Sequence, residues 1–65
     1  MGMVEIKVNE YYGNPSYYSV MPQDIFDALE LASLKGEEMV LVDKTQYETM
    51  VVEYEKKMKQ WENQQ

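Results

Sequence analysis

The chain has no cysteine, no histidine and no arginine. Each absence removes a chemistry. Without cysteine there is no disulfide, no thiolate nucleophile and no cysteine-based metal site. Without histidine there is no imidazole base and no ordinary zinc site. Without arginine there is no bidentate fork for phosphate or carboxylate. Twelve acids against six lysines leave a net charge of −6, which argues against direct nucleic-acid binding. No apolar run approaches the ~20 residues of a membrane span, so no membrane contact is expected. The opening MGMVEIKVNE lacks a basic region followed by an apolar run, so no signal peptide is expected. Ile6 stands where a myristoylation signal has Ser or Thr. A cytoplasmic protein without cofactor or metal is the expectation. Glu37, Glu38 and Asp43 come nearest to a catalytic or metal-binding carboxylate group. Adjacent strand residues diverge, however, and no DxDxDG loop is present. No catalytic residue is assigned and no enzyme is expected.

At 65 residues the chain is one small domain, 1–65. A domain of this size buries only about 60% of its unfolded surface, so its core is marginal. Self-association is the remaining source of stability.

Val4, Ile6 and Val8 alternate with Glu5 and Lys7, the period of a half-buried strand. Tyrosine pairs, Tyr11-Tyr12 and Tyr17-Tyr18, flank Gly13-Asn14-Pro15-Ser16, a turn composition. Together these predict a β-hairpin over 3–21, with strands near 3–11 and 17–21. Pro22 suits the first helical position, Ile25, Ala28, Leu29 and Ala32 repeat at helical spacing, and Lys35-Gly36 forms a stop. A helix over 22–35 follows, with Phe26 and Leu34 widening its apolar stripe. The apolar run ending at Val42 predicts a strand over 38–42. Asp43 with Gln46, or Thr45 with Glu48, then opens a helix over 44–62. Gln64 and Gln65 are expected to fray. The fold class expected is α+β in the order ββαβα, with a three-stranded antiparallel sheet of order 2-1-3.

Three patterns point to function. Tyr47, Val51, Tyr54, Met58 and Trp61 are spaced 4, 3, 4, 3 along the last helix, a short heptad seam. The seam either packs on its own sheet or pairs with a second copy, and its far end favours the homodimer. The whole charge excess lies in residues 1–43; Asp24, Asp27 and Glu30 share one face of the first helix and offer an anionic surface to a basic protein. In its strong form, such a surface mimics nucleic acid. Finally, Tyr11, Tyr12, Tyr17 and Tyr18 at the hairpin tip supply large contact area at low entropic cost. The acidic surroundings oppose their use in stacking bases.

The stretch 36–50, GEEMVLVDKTQYETM, resembles the strand-then-helix end of Phd/YefM-type antitoxin domains. The resemblance implies a dimer that binds operator DNA and neutralises a toxin. The predicted hairpin and the missing arginine depart from that pattern.

Together the patterns point to a non-enzymatic acidic regulator or inhibitor, acting as a homodimer on a larger host protein with a basic or aromatic-accepting surface. Such a compact chain suits a phage or mobile element, with the bacterial cytoplasm as its compartment. An antitoxin-like module is the alternative, and a structural or assembly subunit the third class.

Overall fold

A computed structural model describes residues 2–63, Asn63 by its backbone alone. The expectation for Gln64 and Gln65 lies outside the described residues. The elements are β1 (Met3–Lys7), α1 (Val8–Tyr11), α2 (Pro15–Tyr18), α3 (Gln23–Lys35), β2 (Met39–Asp43) and α4 (Lys44–Asn63).

β1 and β2 form a two-stranded antiparallel sheet in which Ile6 faces Val40 and Val4 faces Val42. Alternation divides the sheet. Val4, Ile6, Val40 and Val42 point to the helices and are buried or half-buried, whereas Met3, Glu5, Lys7, Met39 and Leu41 are exposed on the other side. α3 packs chiefly on β2 and α4 on both strands. Both long helices therefore cover one face and leave the other bare.

The three-stranded sheet of order 2-1-3 is not formed, and the order of elements is βαααβα rather than ββαβα. The strand expected near 17–21 is replaced by a helical turn, and the first strand stops at Lys7 instead of running to residue 11. The reason lies in backbone capping and tertiary contacts. Asn14 is an N-cap: its side-chain carbonyl accepts the Ser16 N–H at 3.0 Å, and its amide donates to the Glu10 carbonyl at 3.2 Å. Pro15 then takes the first helical position, where its missing N–H costs nothing. Val8, Tyr11 and Tyr12, spaced for one helical face, turn inward onto the core. High strand propensity of tyrosine yields to this packing.

α3 begins one residue later than the predicted start, with Pro22 as N-cap and Phe26 N–H donating to the Pro22 carbonyl at 3.0 Å. It buries Ile25, Leu29 and Ala32; Leu34, expected in the stripe, is 81% exposed. Gly36 ends it at φ 75°, a left-handed conformation that other residues adopt only at a cost. α4 begins on Asp43, whose carboxylate accepts the Gln46 N–H at 3.1 Å. Gln46 completes no capping box, because its side chain donates instead to Asp24 at 3.0 Å and ties the start of α4 to the start of α3. Thr45 caps nothing; its carbonyl accepts the Thr49 hydroxyl. The core gathers Ile6, Val8, Ile25, Leu29, Ala32, Val42 and Met50. Ile25, Leu29 and Met50 are the large side chains wholly removed from solvent, each worth about 1.5–3 kcal/mol of transfer free energy.

Candidate protein-binding surfaces

The tyrosines do not form a protruding tip. Tyr11, on α1, and Tyr17, on α2, turn toward α4. Their ring centroids are 4.9 Å apart, and the Tyr11 and Tyr47 hydroxyls share a hydrogen bond of 3.1 Å. Tyr17 stacks on Tyr54, with centroids 4.4 Å apart. Burial, then the bond to Tyr47, pushes the Tyr11 hydroxyl well above the usual tyrosine range. Burial, then the neighbouring Tyr54, moves Tyr17 in the same direction. This cluster is half-buried packing that fastens α1 and α2 to the last helix. Tyr12 and Tyr18 go elsewhere, both against Phe26 of α3, at 6.1 and 5.7 Å between centroids. Of the four, Tyr18 is the most exposed, at the protein surface.

The same contacts divide the heptad seam. Tyr47, Val51 and Tyr54 are half-buried, and the two tyrosines lie beneath the chain's own Tyr11 and Tyr17. From Glu55 to Glu62 every residue is exposed. α4 spans 20 residues, about 30 Å, and so outruns the sheet that supports it. Met58 and Trp61, 40% and 61% exposed, are what remains bare of the seam. They border a groove of about 370 Å³ with Pro15, Ser19, Tyr54 and Lys57. Lys57 donates to the Ser19 hydroxyl across this groove rather than pairing with Glu53, whose ion-pair partner is Lys56 at 3.9 Å.

The third expected feature is present as a surface, with an addition. Asp24, Asp27 and Glu30 are all exposed on α3. Asp24 accepts from Gln46 and Asp27 accepts from Gln23 at 2.9 Å, so the first two carboxylates are oriented while remaining wet. Leu31, 54% exposed, and Leu34 continue this face, because positions 24, 27, 31 and 34 are spaced 3, 4, 3. The outward stripe of α3 is thus acidic in its first half and apolar in its second. Sequence reading missed this continuation by placing Leu34 on the core stripe; the 3, 4, 3 spacing with Asp24 and Asp27 was the available signal.

Among the described residues no group of three potential metal ligands is assembled. Glu37 and Glu38 are exposed in the turn before β2, while Asp43 is committed to capping α4. No described helix is long and apolar enough to cross a membrane. No family model matches the chain, and no match was found among curated proteins or solved structures.

Proposed function

We propose that the protein is a non-enzymatic regulator that works by binding another protein, as a homodimer, and that the outward stripe of α3 is its principal contact. What supports this is the pairing of Leu31 and Leu34, bare on a helix whose opposite face is fully packed, with Asp24, Asp27 and Glu30 in line with them. A helix presenting apolar anchors at i and i+3 fits a groove in a partner. The carboxylates beside them favour a groove with a basic rim and speed encounter with it. Trp61 and Met58, at the end of α4, supply a second anchor of the aromatic kind that dominates many interfaces.

Affinity purification from the native host, repeated at low and high salt, tests the proposal. A protein retained specifically at low salt and released steeply as salt rises is the expected result. Retention of none, with the bait shown to be folded, is the opposing one.

A further inference from the structure

The sheet has one face that the long helices do not cover. Its side chains stand in three rows set by the β1–β2 register: Met3 beside Asp43, Glu5 beside Leu41, and Lys7 beside Met39. Asp43 is committed to α4, and the other five are exposed. Met3 is 60% bare, Leu41 57% and Met39 40%. Met3 and Leu41 line one cleft, and Leu41 and Met39 are neighbours on the same side of β2, so the three make one apolar patch. Beside the patch run Glu5 and Lys7, of opposite sign and one row apart.

A second copy of the same face is the cover that fits it. We propose that two protomers stack their sheets bare face to bare face, about a two-fold axis that crosses the strands at the level of Ile6 and Val40. β1 then lies over the partner's β1 and β2 over the partner's β2, with strand directions opposed and the sheets about 10 Å apart. This rests on the dimeric reading above and names the surface that holds the dimer.

Charge and packing select the same axis. Set between the rows of Glu5 and Lys7, it brings Glu5 over the partner's Lys7 and Lys7 over the partner's Glu5. The same axis brings Leu41 over the partner's Met39 and Met39 over the partner's Leu41. Moved to the level of Glu5, the axis sets Glu5 on the partner's Glu5. Moved to the level of Lys7, it sets Lys7 on the partner's Lys7. A two-fold axis along the strands instead lays β1 over the partner's β2, with Leu41 on the partner's Glu5 and Met39 on the partner's Lys7. The contact is made by side chains alone, so the backbone of Lys7 stays with α1, and the Lys7 side chain makes no capping bond there. The arrangement is isologous and closes at two copies. It leaves the outward stripe of α3, on the other side of the sheet, free for another protein. Three short rows bury less than the ~1,200 Å² of a standard interface, so the dimer is of the weak class.

Sedimentation equilibrium of the full chain from micromolar to millimolar concentration tests this. Wild type is compared with Leu41→Glu, Glu5→Lys, Lys7→Glu, the double charge exchange and Trp61→Ala, each checked for folding by circular dichroism. Wild type is expected to dimerise. Leu41→Glu and each single exchange should raise the dissociation constant about tenfold, because the axis makes every substitution count twice. The double exchange should return it to within about twofold, and Trp61→Ala should leave it unchanged. A wild-type dimer indifferent to Leu41→Glu, or to both single exchanges, overturns the stacked face and leaves the dimer standing on another surface. A double exchange as weak as the singles also overturns it. A wild-type monomer throughout the range overturns the dimeric reading as well. Methionine oxidation reads the same face without substitution, since Met39 and Met58 are equally exposed at 40%. With dilute hydrogen peroxide, which converts methionine to its sulfoxide, the initial rate at Met39 should fall as protein concentration rises while that at Met58 does not. Parallel rates at the two contradict the stack.

Discussion

Tyr17 lies on Tyr54 with ring centroids 4.4 Å apart and planes 20° apart, a stack that joins a short helical turn near the start of the chain to the last helix. Aromatic pairs of this kind add about 0.5–1.5 kcal/mol beyond their buried area. Replacing either ring by alanine is expected to lower the free energy of unfolding by about 2 kcal/mol, and the two losses should not add. A double-mutant cycle in urea measures the coupling; strict additivity would show that the rings do not stabilise one another.

Alkaline pH should loosen the same cluster. Burial raises the Tyr11 and Tyr17 hydroxyls above the ordinary value of about 10. The folded state thus holds these protons more tightly than the unfolded one. The associated stability is complete below pH ~10 and is lost as pH rises beyond it. Tyrosinate absorbance should show two rings titrating late. In Tyr11→Phe, which also removes the bond to Tyr47, the alkaline decline should be shallower than in wild type.

Leu29 and Leu34 lie on the same helix and should behave oppositely. Leu29 is wholly buried, and Leu29→Ala is expected to cost about 2–5 kcal/mol, enough to unfold much of a domain this small. Leu34→Ala should change stability by no more than about 0.5 kcal/mol while weakening partner binding. Urea denaturation of both variants separates a packing role from a binding one.

Periodicity is a reliable guide only where burial enforces it, and the two halves of this chain differ in that respect. Ile25, Leu29 and Ala32 had to face a core, and Val40 and Val42 had to face the helices, so α3 could be read from its spacing and β2 from its short apolar run. Residues 8–21 carry no such run. Their tyrosines are good strand formers by propensity, and their helical turns depend on Asn14 capping Ser16 and on rings from α4, remote in sequence. The Asn14-Pro15 pair was a legible N-cap and first helical position, but Gly13 beside it reads equally as a hairpin turn. The acidic residues of α3 were legible because nothing packs over them. The bare far end of the last helix, Met58 and Trp61, was legible because a helix of that length outruns a short sheet; the cover over Tyr47 and Tyr54 was not, because it comes from Tyr11 and Tyr17, remote in sequence.

Gly36 should be sensitive to any added Cβ despite the open space around it, since the penalty comes from φ 75° and not from a clash. Gly36→Ala is expected to cost about 1–2 kcal/mol, and Gly36→Asn less, because asparagine tolerates the left-handed region. Thermal unfolding of the pair distinguishes backbone strain from a packing defect, which would penalise the larger asparagine more.

The central claim is that α3 is a protein-binding helix, and calorimetric titration with the partner purified from the native host tests it most directly. Wild type should be compared with Leu31→Ser/Leu34→Ser and with Asp24→Lys/Asp27→Lys/Glu30→Lys, each first shown to be folded. Both variants are expected to bind at least about tenfold more weakly than wild type, and the charge-reversed one should also lose its salt dependence. Unchanged affinity in both would contradict the account.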